Sequence, residues 1–168
     1  ASGAATGFTT DQRGVLTGLD WAKGGLTIGG MFHFTRTDID YRELAGSSTV
    51  ESVGGAVYGG YRRDGGVVVN GGISIAGART TGSRAISLTG FAQALAGTTT
   101  GTTYQLFGEA AYDLAASADT RIEPFARLAF VKADMGGLTE TGGVAALAAA
   151  SQGHELRVFN LGGRAGIN

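Results

Sequence analysis

"GEAAYDLAASADTRIEPFARLAFV", residues 108–131, joins two apolar runs through a six-residue connection, Ala115 to Thr120. Glu109 and Asp113 stand four apart in the first run, and Glu123 and Arg127 four apart in the second. Because side chains alternate between the faces of a strand, that spacing puts the ions of each run on one side. The other side, Ala110, Tyr112 and Leu114 and then Ile122, Pro124, Ala126, Leu128 and Phe130, is free of charge. These runs fit surroundings that are apolar against one face and tolerant of ions against the other.

The same alternation recurs in five more segments, giving seven predicted strands at about 14–22, 26–35, 52–61, 67–76, 104–114, 122–131 and 158–167. Their uncharged faces hold Val15, Leu19, Ile28, Phe32, Val57, Ile73, Leu106 and Leu161, among others. The opposite faces hold Asp20, His33, Glu109, Asp113, Glu123, Arg127 and Arg164, mixed with Gly, Ser, Thr and Asn.

Composition narrows the choice. The 168 residues show no composition break and are read as a single domain, 1–168. Thirty-one glycines without a three-residue period oppose helix, since each costs about 1 kcal/mol against Ala in a helix interior. There is no cysteine, hence no disulfide, and no apolar run long enough for a membrane-spanning helix. Thirteen basic against 14 acidic residues leave a net charge of −1, which gives no electrostatic basis for a nucleic-acid partner. The opening Ala1-Ser2-Gly3-Ala4 carries no basic and apolar leader, so an export signal is expected to have been removed or to lie outside this sequence.

Period two alone suits a soluble sandwich or solenoid as well. Three features favour a transmembrane barrel. Connections alternate between short (23–25, 62–66, 115–120) and long (about 36–50, 80–102, 133–153), as in outer-membrane barrels with short periplasmic turns. The apolar faces run about ten residues, enough for a tilted strand to cross a bilayer. Trp21, Tyr61 and Tyr112 sit just before the short turns, and Phe34, Tyr104, Phe130 and Phe159 near the long connections, as two interfacial aromatic girdles would. On this reading the uncharged face meets lipid and the ionic face encloses the lumen. Within the long connections, Val144 to Ala150 is expected to form one or two helical turns.

The stretches "FGEAAY", "EPFARLAFV" and "GGLTETGGVAAL", between Phe107 and Leu147, resemble the central strands, and the loop after them, of the C-terminal translocator β-barrel of type V autotransporters of Gram-negative bacteria. "RGVLTGLDWAKGGLTIGGMFHFTRTDID" and "VGGAVYGGYRRDGGVVVNGGISIAG" fit the same family's hairpins. The resemblance covers nearly the whole chain and implies an all-β, antiparallel up-and-down transmembrane barrel in the bacterial outer membrane. It implies twelve strands, of which about seven are present here, roughly the second to the eighth. Neither the family's linker helix nor its terminal aromatic strand is in the sequence, so a fragment is expected.

The resemblance also implies partners: outer-membrane lipid, the protein's own passenger and linker segment, and the barrel assembly machinery. Its function would be to anchor a passenger and help export it. The alternative is a small pore or adhesin barrel that binds partners through its long loops. No G-x-S-x-G, P-loop, H-E-x-x-H or cysteine nucleophile is present, so neither an enzyme nor a cofactor or metal site is expected. His33 and His154 lie far apart, and Asp38-Ile39-Asp40 reads as a solvated strand end. Asp20, His33, Glu109, Glu123, Arg127 and Arg164 are the lumen candidates. Glu109, Glu123 and Arg127 are read first as an ion-pair ladder, with Arg164 and Asp20 able to join it, and second as contacts for the linker or passing polypeptide.

Overall fold

The computed structural model of the chain describes residues 7–42, 45–63, 65–115 and 120–167. Ten strands lie along them: β1 (Phe8–Lys23), β2 (Leu26–Tyr41), β3 (Gly46–Arg62), β4 (Val67–Leu88), β5 (Phe91–Tyr112), β6 (Leu114–Ala115), β7 (Thr120–Met135), β8 (Leu138–Thr141), β9 (Ala148–Ala149) and β10 (Gln152–Ile167). The seven long strands form one antiparallel meander, β1-β2-β3-β4-β5-β7-β10, and correspond to the seven expected from the sequence. β6 prolongs β5 against β7, and β8 and β9 branch off at the opposite end. The opening Ala1 to Ala4 and residues 116–119 of the expected short turn lie outside the described residues.

Turn chemistry fixes the hairpins. Between β1 and β2 only Gly24 and Gly25 are unpaired, both with positive φ (57° and 80°), as a primed two-residue turn requires.

Two of the three expected long loops are strand. β4 and β5 pair continuously out to Leu88 and Phe91, leaving Thr89 and Gly90 as the turn, and β2 and β3 pair out to Tyr41 and Gly46. Beyond the apolar band both faces of a strand are wetted, so apolar-polar contrast vanishes while Thr-rich sequence still favours extended backbone. The third, between β7 and β10, keeps irregular backbone, but Val144–Ala150 forms a turn and the two-residue β9 instead of a helix. So short a segment cannot nucleate a helix alone, and pairing with β8 satisfies its backbone. His154, expected at a loop end, lies inside β10.

Cross-strand partners share a face, so the register extends the two faces over the sheet. On one, Leu19, Leu128 and Leu161 are 86%, 64% and 71% exposed, and no second layer covers them among the described residues. On the other, Glu109 is only 7% exposed and Val68 and Ala111 are buried. A soluble sheet does the reverse.

The register also reveals a tilt. The row through Trp21 continues through Ile28, Gly59, Gly71 and Gly108. Tyr61 stands two residues beyond Gly59 toward the short turns, two strands on, and Tyr112 four beyond Gly108, four strands on. At the other end the row through Phe34 continues through Val53, Gly77, Thr102 and Asp134. There Tyr104 lies two residues from Thr102, three strands on, and Phe130 four from Asp134, four strands on. Both sets step about one residue per strand, which at about 3.3 Å rise and 4.8 Å strand spacing is a tilt of about 35°. Outer-membrane barrels tilt about 35–45°. Each set is therefore level when the sheet is tilted as such barrels are.

Aromatic rings lie over glycines on the ionic face. A Cβ at Gly162 would meet the Phe125 ring at 2.7 Å, one at Gly72 the Phe107 ring at 2.8 Å, and one at Gly54 the His33 ring at 2.6 Å. Part of the high glycine content thus makes room for neighbouring rings.

Candidate functional site

Odd-numbered positions of β5 and β7 place Glu109, Arg121, Glu123 and Arg127 on the ionic face, Asp113 follows directly after β5, and even positions of β3 and β10 add Arg62 and Arg164. Glu109 and Arg127 are cross-strand partners, as are Glu123 and Arg164. Arg127 Nη2 stands 2.6 Å from Glu109 Oε2, and Arg164 Nη2 2.8 Å from Glu109 Oε1. Arg164 Nη1 reaches Glu123 at 2.5 Å. Glu123 lies 3.8 Å from Arg62, which pairs with Asp113 at 3.2 Å, and Asp113 also holds Arg121 at 3.2 Å. The result is an unbroken chain, Arg127–Glu109–Arg164–Glu123–Arg62–Asp113–Arg121, in which acids and bases alternate.

Four guanidinium groups face three carboxylates, so the chain carries one positive charge in excess. The Arg164 guanidinium also lies 4.3 Å over the Phe125 ring, the ring that covers Gly162. Glu109 is the most enclosed member, and two arginines satisfy it, as a buried carboxylate requires.

Of the expected lumen residues, Glu109, Glu123, Arg127 and Arg164 come together. The ladder differs from expectation in one link: Glu123 pairs with Arg164 and Arg62 and not with Arg127, because cross-strand partners approach more closely than residues four apart along one strand. Asp20 stays apart and accepts a hydrogen bond from the Tyr58 hydroxyl. His33 packs over Gly54 instead of joining the chain. Asp113, already placed on the ionic face by its spacing from Glu109, completes the network together with Arg62 and Arg121, which the spacing did not single out. Arg62 hides in the turn-like "YRRDGG", and only its parity along β3 betrays its face.

A second cluster fastens the far end. Arg84 on β4 grips Glu140 on β8 with two hydrogen bonds, Nε to Oε1 at 2.9 Å and Nη2 to Oε2 at 2.6 Å. Arg84 also donates to the Ala145 carbonyl, the Leu147 N–H donates to Glu140, and Gln93 accepts from the Ala145 N–H. Two hydrogen bonds from Arg84, aided by the Leu147 amide, hold the Glu140 carboxyl down at about 2.

The Autotransporter beta-domain family matches residues 1–168. The chain belongs to the autotransporter β-domain family. Among solved structures, this β-domain is similar to the translocator domain of the autotransporter NalP from Neisseria meningitidis, with a TM-score of 0.74 at 13% identity over 93% of this chain and 53% of that one. It thus spans about half the length of that domain. It also resembles the ferric yersiniabactin uptake receptor FyuA from Yersinia pestis, with a TM-score of 0.53 at 10% identity over 92% of this chain and 24% of that one. These likenesses show the fold. Among curated proteins none matches significantly. The autotransporter β-domain is an outer-membrane β-barrel of Gram-negative bacteria used in type V secretion, and the open seven-stranded meander is a portion of such a barrel.

Proposed function

We propose that these residues form one domain of the translocator that holds a passenger in the outer membrane and helps carry it to the cell surface. The exposed apolar face meets lipid, Trp21, Tyr61 and Tyr112 lie at one interface and Phe34, Tyr104 and Phe130 at the other, and the ionic face lines the lumen. Further strands close the barrel, because an open sheet edge in hydrocarbon leaves backbone groups unbonded. Insertion proceeds through the barrel assembly machinery.

The observation that carries this reading is the inversion of burial: Leu19 and Leu161 exposed on one face, Glu109 enclosed among arginines on the other. Arg or Lys at the bilayer midplane costs about 2–4 kcal/mol, so a lipid-facing surface is kept free of charge while a wet lumen accepts ions. The arginine excess suits a linker or passing segment with acidic side chains. The domain serves as a conduit, and because both oxygens of its most enclosed carboxylate, Glu109, are taken by guanidinium groups, that side chain has a structural role.

The test uses the complete protein expressed in Gram-negative cells. Added protease should remove the passenger from intact cells, and deletion of residues 8–167 should leave it protected inside. Equal surface exposure with and without these residues overturns the reading.

A further inference from the structure

Above the apolar band the lipid-facing side of the sheet becomes charged, and its two sectors differ. On β1 and β2, Arg13 and Arg36 are held by Asp38 at 3.4 and 3.3 Å, and Arg36 by Glu51 at 3.1 Å. Asp11, Asp40 and Arg42 share that face, so with Glu51 the sector carries one acid in excess. On β4, β7 and β10 the balance reverses: Arg79, Lys132 and Arg157 stand against Asp134 and Glu155. Lys132 pairs with Asp134 at 3.2 Å and Arg157 with Glu155 at 3.1 Å. Arg79 has Glu51 as its cross-strand neighbour, but Glu51 turns to Arg36, and among the described residues Arg79 forms no ion pair.

These cations stand directly over aromatic and aliphatic surface. Lys132 is the cross-strand partner of Tyr104, and Arg157 lies 5.7 Å over the Phe130 ring. Below them an apolar groove opens between Val57, Ile73, Ile75, Tyr104, Leu106 and Phe130. Strand spacing and rise put Lys132 roughly 8 Å from Arg157 and roughly 16 Å from Arg79. After the one-residue-per-strand tilt, the three fall within about three residues of one height. A headgroup layer is about that deep.

We propose that this sector binds anionic lipid of the outer leaflet, with phosphate groups engaging Arg79 on one side and Lys132 with Arg157 on the other and an acyl chain in the groove. The phosphate-bearing headgroup suits the cation excess, and the apolar groove directly beneath accepts a chain that no soluble anion possesses. The inference rests on the lipid-facing assignment of this side, which is tested separately by insertion.

The experiment takes the complete protein in detergent, adds phosphatidic acid or phosphatidylcholine, and counts bound lipid by native mass spectrometry. It compares wild type, the triple variant R79Q/K132Q/R157Q, and Lys23→Gln at the opposite end of the same face. Heat-dependent gel mobility reports barrel formation for each. Wild type and Lys23→Gln should favour phosphatidic acid by about ten-fold or more, and the triple variant should lose most of that preference while keeping its mobility shift. Should the triple variant not fold, Arg79→Gln alone should lower the preference about five-fold. A folded variant with wild-type preference, or a wild type without preference, overturns the proposal. Inorganic phosphate binding that vanishes in the triple variant, with lipid adducts unchanged, also overturns it by pointing to a free-anion site.

Discussion

Arg164 on β10 reaches across β7 to Glu109 on β5, placing Nη2 2.8 Å from Oε1 and 2.9 Å from Oε2, while its Nη1 holds its own cross-strand partner Glu123. One guanidinium therefore ties three strands at one register. A slip of one residue would move Arg164 to the other face and leave Glu109 with one arginine. The network specifies alignment in a region where glycine and alanine side chains offer little to lock.

Replacing Glu109 by Gln should leave Arg127 and Arg164 facing each other without their shared anion. The expected loss is about 1–2 kcal/mol, less than for a fully dry pair because both arginines are half exposed. In the complete barrel, the temperature at which the folded gel band disappears should fall. Arg164→Ala should act similarly, and the double variant should lose less than the two single losses combined, since both remove one interaction. Strict additivity would mean that the two residues act independently.

The facing assignment predicts a contrast between neighbours. Ile73 is exposed on the apolar face and Ser74 sits on the ionic face of β4. Ile73→Arg places a cation in hydrocarbon at about 2–4 kcal/mol, whereas Ser74→Arg enters water. Membrane fractions should contain far less folded Ile73→Arg than Ser74→Arg. Equal yields would contradict the orientation.

The meander was legible because each strand meets two media within the band, and two media write a period of two into the sequence. Glu109 and Arg127 declared their shared face through the spacing of ions in residues 108–131. The strand extensions did not: around Thr80–Leu88 and Phe91–Thr99 both faces lie beyond the apolar band, so the pattern carries no contrast and only β-branched content remains. Arg62 and Arg121 were hidden because pairing across strands depends on register, which hydrogen bonds between distant segments set. Asp20 was grouped with the ladder on parity alone, but lateral distance along the sheet separates it and Tyr58 claims it.

Adjacent glycines offer a test of the ring-over-glycine packing. A Cβ at Gly162 would stand 2.7 Å from the Phe125 ring, while one at Gly163 meets nothing within 4 Å. Phe125 can yield only by leaving its place under the Arg164 guanidinium. Gly162→Ala should therefore cost about 1 kcal/mol, the order of a cation–π contact plus modest overpacking. Gly163→Ala should change stability by less than about 0.5 kcal/mol. Urea midpoints of the refolded complete barrel would compare them, and equal losses would discount the ring contact.

The Arg84–Glu140 clasp should depend on pH in one direction. Glu140 is held at about 2, below the ordinary carboxylate value of 4.5, so the unfastened segment binds a proton more readily than the clasped one. The clasp contribution is then complete above about pH 4.5 and is lost as pH falls from there toward 2. Proteolysis of the segment between β7 and β10 by an acid-active protease should accelerate over that window. In Glu140→Gln, which leaves Arg84 without its anion at every pH, cleavage should be fast throughout and flat with pH. Wild-type cleavage that stays constant from pH 5 to 2 would show that the segment is held by something other than this pair.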